Sequence, residues 1–280
     1  MELYLGKRVL SMDRSRVMGI LNITPDSFSD GGDFLSPKNA FSQAAALLEE
    51  GADIIDVGGE STRPGADSVA LQVELDRVIP VIEQIHAKLD VAISVDTSKP
   101  GVMRAAVAAG AVLVNDVFAL RQDGAAAAVA ELGVAVCLMH MQGDPRSMQI
   151  APQYRQLTRE IIDFLARRIG ACTAVGIERD KIIVDPGFGF GKNDAHNLQL
   201  LANLHQLQEL GRPILVGLSR KRLLGKLTGK ATENRVSAGI AAAVIAVAEG
   251  ANIVRTHDVG ATVDALKIAD AVRRSGLDNE

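Results

Sequence analysis

The chain has 280 residues, of which 48% are hydrophobic and 23% charged, the make-up of a globular protein with a full core in one large domain or two small ones. Its net charge of −4 and its lack of tryptophan argue against a general nucleic-acid surface or a base-stacking platform. No apolar run approaches the ~18–20 residues of a membrane span, and the opening MELYLGKRVLSMDRSRVMG scatters charges where a signal peptide needs a continuous apolar stretch.

In chain order, short β-branched runs alternate with longer helical patterns. Strands are expected at 17–23, 53–58, 91–97, 112–117, 134–140, 181–187, 213–219 and 252–258. Helices are expected at 38–50, 69–89, 101–109, 124–132, 153–175, 195–210, 234–249 and 261–274. Each helix is long enough to cross back over a sheet, so neighbouring strands should run parallel, and their continuous apolar character fits strands covered on both faces. Such a series fits an α/β chain folded as a (β/α)8 barrel. The rival, a doubly wound open sheet, would usually carry a glycine-rich dinucleotide turn, and no GxGxxG occurs. With no linker or composition break, the expectation is a single domain over 1–280, the barrel proper about 17–274.

Every strand run ends in polar residues: Asn22, Asp56, Asp96, Asn115 with Asp116, His140, Asp185, Ser219 with Lys221, and Arg255 with His257. Turn chemistry explains an occasional Asp or Asn, but not Lys221, Arg255 and His257. In a barrel these positions converge on the C-terminal rim, where active sites are built. Asp96, Asn115 and Asp185 offer acceptors to a flat heterocycle rich in N–H groups. Arg63, Lys221 and Arg255, with His257, suit an anion such as a phosphate.

The stretch DPGFGFGK (185–192) fails as a P-loop, because Pro186 stands where a glycine is needed and Asn193 follows Lys192. Its glycines instead let backbone approach a ligand, with Phe188 and Phe190 as apolar walls or core. Cys137 and His140 lack a second pair to complete a zinc set, so a buried thiol and a satisfied histidine are expected. A Mg²⁺ held mainly by a ligand's phosphates remains open. The two cysteines, Cys137 and Cys172, are too few for a disulfide framework and fit a reducing cytoplasm. TPDSFSDGGDFLSP (24–37) and GESTRPGADS (59–68) follow the first two strands and have the composition of lids ordered by a ligand, or of solvated connectors.

The ordered segments MGILNITPDSFSDGG (18–32), IIDVGGESTRPGA (54–66), ISVDTSKP (93–100), VNDV (114–117), CLMHMQG (137–143), DPGFGFGKN (185–193), GLSRK (217–221) and RTHDV (255–259) resemble the dihydropteroate synthase family over essentially the whole chain. The resemblance implies a (β/α)8 barrel of folate biosynthesis that condenses 6-hydroxymethyl-7,8-dihydropterin diphosphate with 4-aminobenzoate, giving 7,8-dihydropteroate and pyrophosphate. It implies that Asp96, Asn115, Asp185 and Lys221 grip the pterin, with Arg255 stacked over its ring. Asn22 would contact Mg²⁺, and Thr62, Arg63, Arg255 and His257 would surround the diphosphate. Phe28, Thr62, Pro64, Phe190, Ser219 and Lys221 would frame the aminobenzoate. The catalytic set is then Asp96, Arg63, Lys221, Arg255 and His257, with Asp56 a support for the loop and for Asn22, or a purely structural acid.

The same resemblance implies a cytoplasmic homodimer that takes small-molecule substrates and neither nucleic acid nor membrane. VSAGIAAAVIAVAEG (236–250), apolar nearly all round, fits either barrel packing or a subunit interface. Phe118 and Ala119 stand where many relatives carry smaller or more polar residues, which touches loop shape only. The basic residues of RLLGKLTGKAT (222–232) either add to the anionic pocket or begin a solvated helix. A barrel passing a methyl group from a folate to a corrinoid protein would share the Asp and Asn grip but lack STRPG and SRK. A non-catalytic paralogue should have lost a charged rim residue, and none is missing.

Overall fold

The computed structural model describes residues 1–24, 37–62, 68–144 and 148–277. Two antiparallel strands come first, β1 (Glu2–Leu5) and β2 (Arg8–Ser11), turning at Gly6 with φ +60°. The parallel strands follow: β3 (Arg16–Asn22), β4 (Ile54–Gly58), β5 (Ala92–Asp96), β6 (Leu113–Asp116), β7 (Ala135–Met139), β8 (Ile182–Asp185), β9 (Leu215–Val216) and β10 (Ile253–Thr256). Their order is β8-β7-β6-β5-β4-β3-β10-β9, every neighbouring pair parallel. A parallel bridge between Val184 and Ile214 returns the last strand to the first, and the Val184 N–H donates to the Pro213 carbonyl at 2.9 Å. The sheet thereby closes into the expected (β/α)8 barrel.

The helices are α1 (Pro37–Glu49), α2 (Leu71–Lys88), α3 (Pro100–Ala108), α4 (Ala125–Leu132), α5 (Leu157–Ala174), α6 (Asp194–Ala202), α7 (Arg222–Thr228), α8 (Val236–Ala248) and α9 (Val259–Leu277). The alternating pattern places them around the sheet, so strand residues are buried on both faces. One apolar cluster lies between strands and helices; it includes Leu21, Ile55, Ile82, Ile93, Val114, Ile161 and Val254. A second fills the barrel from within: Met18, Ile54, Ala92, Leu113, Cys137, Ile183, Leu215 and Ile253, closed from below by Leu3, Leu5 and Met12. The β1–β2 hairpin therefore plugs the N-terminal end, a role that its scattered charges obscured in the sequence. Cys137 and Cys172 are both free and buried.

One helix expectation is corrected, and of the two readings of 222–232 the helix is met. The segment expected to be one helix over 195–210 ends as an α-helix at Ala202 and continues as a 3-10 helix, Leu204–Leu210. Its start is sharp because the Asn193 side chain accepts from the His196 N–H at 2.8 Å, while His196 Nδ1 accepts from the Asn193 N–H at 3.3 Å. The basic stretch after β9 forms a helix of its own, α7, so that α7 and α8 both precede β10. Among the described residues, no helix is long and apolar enough to cross a membrane.

Candidate active site

The parallel strands deliver their polar last residues to one rim. Register sets the level: Asn22 pairs with Gly58, Gly58 with Asp96, and Asp96 with Asn115. A Cβ on Gly58 would lie 3.5 Å from both Asn22 Oδ1 and Asp96 Cβ, so the missing side chain lets Asn22 and Asp96 face one another.

Arg255, at the end of β10, organises the rim. Its Nε donates to Asp56 Oδ2 at 2.6 Å and its Nη2 to Asp96 Oδ2 at 2.8 Å, while Asn115 Nδ2 donates to the same Asp56 oxygen at 3.0 Å. Asp56 is fully buried, and its Oδ1 has no hydrogen-bond partner among the described residues. The expected Asp56 support is thus redirected: it holds Asn115 and Arg255 rather than Asn22. Burial alone would lower the Arg255 pKa, but Asp56 and Asp96 outweigh it and keep the guanidinium firmly charged. Asp96 is pushed up to about 7, chiefly by burial; Arg255 pulls it down, and Asp56, Asp116 and Glu74 push it up.

A second group lies at β8. Asp185 Oδ1 accepts from the Gly187 N–H at 2.6 Å, and burial raises its pKa against the pull of that bond and of Lys221, Lys192 and Arg255. The Lys221 ammonium donates to the Phe188 carbonyl at 2.9 Å and sits 4.3 Å from the Phe190 ring centroid. Burial lowers the Lys221 pKa to about 8, with Asp185 opposing and Arg255 reinforcing. Beside it, Ser219 Oγ lies 3.1 Å from His257 Nδ1 and accepts from the His257 N–H at 3.3 Å. Arg220, between Ser219 and Lys221, has φ +58°; its guanidinium meets Asp258 at 2.7 Å, and Arg235 Nη1 donates to its carbonyl at 3.1 Å. These bonds hold a conformation costly for a residue with a Cβ, and so aim Ser219 and Lys221.

A cavity of about 490 Å³ adjoins the rim, lined by Glu60, Thr62, Asp96, Lys99, Val117 and Phe118 among others. It is of small-ligand size. Of the residues expected from the sequence, Asn22, Thr62, Asp96, Asn115, Asp185, Phe190, Ser219, Lys221, Arg255 and His257 are described and lie at the C-terminal ends of the strands or in the loops that follow. Phe28, Arg63 and Pro64, with most of the first proposed lid and half of the second, lie outside the described residues.

One rim expectation is corrected and one is met. Asp116 does not share Asn115's role: successive strand residues point to opposite faces. Asp116 accepts from Ser98 Oγ and from the N–H groups of Phe118 (2.9 Å) and Leu120 (2.7 Å), shaping the loop after β6. His140 is 5% exposed and held to about 2 by burial and by Lys192, so it is the satisfied core histidine that the sequence allowed. Phe188, 2% exposed, is core.

The sequence reading missed a support for the second loop. Lys99 bridges Glu60, just beyond β4, and the fully buried Glu74 of α2, the latter at 2.6 Å. Glu74 in the first turn of a helix and Lys99 just before another were the available signals. Among the described residues no group of three or more His, Cys, Asp or Glu could hold a metal ion.

Chemically, the rim combines buried acceptors, a charged guanidinium whose edges are already occupied, and an ammonium on an aromatic ring. It suits a flat, donor-rich ring at its centre and an anion at the side of Ser219 and His257.

Comparisons with known proteins agree with that geometry. The pattern of the family described as pterin binding enzyme matches residues 18–257. The chain is 48% identical over 271 residues to the dihydropteroate synthase of Escherichia coli (strain K12), covering 97% of this chain and 96% of that protein. Among solved structures, a Yersinia pestis dihydropteroate synthase with a sulfonamide drug complex superposes with TM-score 0.95 at 49% identity, over 98% of this chain and all (100%) of that one. A Xanthomonas albilineans dihydropteroate synthase with 4-aminobenzoic acid gives TM-score 0.92 at 54% identity, over 97% and 98% of the two chains.

Proposed function

The chain belongs to the pterin-binding enzyme family, and from that premise and the rim geometry we infer that it is a dihydropteroate synthase. It is a transferase of folate biosynthesis: it condenses 6-hydroxymethyl-7,8-dihydropterin diphosphate with 4-aminobenzoate, yielding 7,8-dihydropteroate and pyrophosphate. The observation that carries the reading is the buried Asp56–Arg255–Asp96 arrangement beside Asn115, Asp185 and Lys221, all in one barrel mouth.

Asp96, Asn115 and Asp185 accept the pterin's N–H groups, and Lys221 donates to its carbonyl. Arg255 uses its edges on Asp56 and Asp96, which leaves a flat guanidinium face for stacking on the ring. The diphosphate is assigned to Asn22, Thr62, Arg63, Arg255 and His257. Phe190, Ser219 and Lys221, with Phe28, Thr62 and Pro64, are assigned to the aminobenzoate. The diphosphate leaves with the bonding electron pair, and the methylene cation that remains is conjugated with the pterin and stabilised by Asp96. The uncharged arylamine attacks that carbon, and the resulting ammonium gives its proton to the released pyrophosphate or to water. No strong base is needed, because charge stabilisation and water exclusion carry the reaction.

Magnesium is part of this reading. The Asn22 amide oxygen suits an ion brought in mainly by the diphosphate, and among the described residues no group of carboxylates could cage a resident one. Bound there, it would neutralise charge on the leaving group.

We also propose that residues 1–280 form one domain acting in the cytoplasm, where two free thiols stay reduced. The chain pairs with a second copy through α8, whose Ser237, Ala241, Ile245 and Ala248 form an exposed stripe with Ile245 49% exposed. Light scattering should give a dimer for the unaltered protein and a monomer for Ile245→Glu.

The function is tested by incubating purified protein with the pterin diphosphate, 4-aminobenzoate and Mg²⁺. Dihydropteroate and pyrophosphate should form in equal amounts; release of pyrophosphate alone, or no turnover, overturns the assignment.

A further inference from the structure

In the glycine-rich segment after β8, each carbonyl from Gly187 to Gly191 is bonded from a side chain. Lys192 Nζ donates to the Gly187 and Phe190 carbonyls at 2.9 and 3.0 Å, and Lys221 Nζ to Phe188 at 2.9 Å. Gln149 Nε2 donates to the Gly189 carbonyl at 2.6 Å and the Tyr154 hydroxyl to that of Gly191 at 2.7 Å. Gly187 and Gly191 have φ +71° and +62°; a Cβ on them would lie 2.0 Å from the His140 carbonyl oxygen and 2.5 Å from that of Gln142. The segment is pressed against residues 140–142 and shaped by donors instead of by a sheet ladder.

Lys192 supplies two of those five bonds and is 1% exposed. Its third contact is His140 Nδ1, at 2.9 Å. Burial lowers its pKa to about 7; Asp185 opposes this and Lys221 reinforces it. A lysine buried without a hydrogen-bonded carboxylate is costly, and an apolar side chain would fill the space without that cost. The donors are therefore what the position requires. The contact with His140 also works in either sense. An ammonium donates to Nδ1, whereas a neutral amine accepts from a protonated Nδ1 and keeps both carbonyl bonds.

We propose that Lys192 is a positioning residue for the arylamine. By clamping the Gly187 and Phe190 carbonyls it fixes the Phe190 ring under the Lys221 ammonium, and so sets aminobenzoate binding without touching either substrate. This rests on the reading above, in which Phe190 and Lys221 frame the aminobenzoate.

The test is steady-state kinetics of the full chain with Lys192→Met, which keeps an unbranched chain one atom shorter and removes its donors. KM for 4-aminobenzoate should rise about tenfold or more, while KM for the pterin diphosphate stays within about threefold. In a Phe190→Ala background, Lys192→Met should raise the aminobenzoate KM less than about twofold further, because the residue acts through that ring. If Lys192→Met does not fold, Lys192→Arg carries the same test, since it keeps the charge but cannot reach all three acceptors. Both KM values rising together, an unchanged aminobenzoate KM, full additivity with Phe190→Ala, or failure of both variants to fold would each overturn the proposal. Failure of the functional reading is separable, because the unaltered protein would then make no dihydropteroate.

Discussion

Replacing Asp56 by alanine removes the shared acceptor beneath Arg255 and Asn115. The charge-assisted bond to Arg255 is worth about 1.5–3 kcal/mol and the bond to Asn115 about 1 kcal/mol, and both donors are left facing a buried gap. One effect runs the other way. Asp56 is among the charges that raise Asp96, so its loss lets Asp96 ionise more readily and strengthens the remaining pair with Arg255, recovering roughly 1 kcal/mol. The net destabilisation should be about 1.5–3 kcal/mol, a fall in Tm of roughly 3–12 °C for a chain of this size. Asp56→Asn, which keeps an acceptor but not the charge, should lose roughly half as much. Calorimetry and urea titration read the stability, and the pterin-diphosphate KM reads the site, which should weaken in both variants because Arg255 and Asn115 lose their anchor. A loss below about 1 kcal/mol for Asp56→Ala, with an unaltered pterin KM, would refute the view that Asp56 holds the rim together.

Lys99→Met leaves Glu74 buried without its cation and should cost about 2–3 kcal/mol by urea denaturation, at the low end for a broken buried pair because Lys99 keeps some exposure; adding Glu74→Gln should restore most of it, and a double variant as unstable as the single one would contradict the pairing. Asp96 has a folded pKa above its unfolded one, so the folded state keeps the proton longer and stability falls as pH rises from about 4 to about 7. Asp96→Asn should therefore match the unaltered protein's stability near pH 4 and exceed it above pH 7, by up to about 4 kcal/mol as an upper bound; equal stability at every pH would refute this. With Asp96 working ionised and Lys221 protonated, kcat/KM should rise through about pH 7 and fall through about pH 8, and a plateau from pH 6 to 10 would count against those roles.

The barrel was legible because β-branched runs and amphipathic segments alternate with little interruption, and the rim because each run ends in a polar residue. What escaped depends on partners far apart in the chain. The hairpin of Leu3 and Leu5 has a purpose only once the barrel's lower end exists for it to close. Asn115 and Asp116 are equivalent on paper, and strand pleating alone sends one to Arg255's anchor and the other to the loop at Phe118. Glu74 looks like an ordinary acid in a first helical turn until α2 and α3 pack side by side and bring Lys99 to it. Lys192 reads in sequence as the lysine of a stretch that fails as a P-loop at Pro186 and Asn193; that its ammonium turns inward is dictated by glycines that let the backbone curl around it.

These placements share an electrostatic pattern. Burial pushes Asp96 and Asp185 up, like charges adding to it at Asp96 alone, and burial pushes Lys192 and Lys221 down, so the mouth holds groups that each resist their own charged form. Asp56 adds a buried carboxylate oxygen with no partner among the described residues. A protein selected for stability alone would place apolar residues here. A ring rich in N–H donors satisfies the carboxylates as it binds and lowers their pKa values, and a diphosphate at the neighbouring cations raises theirs. Part of the binding free energy thus comes from relieving a polar site held at the expense of the barrel's stability, so neutralising a group that resists its own charge, as Asp96→Asn does, should strengthen the fold as it weakens the enzyme, whereas removing Asp56 orphans two donors and weakens both.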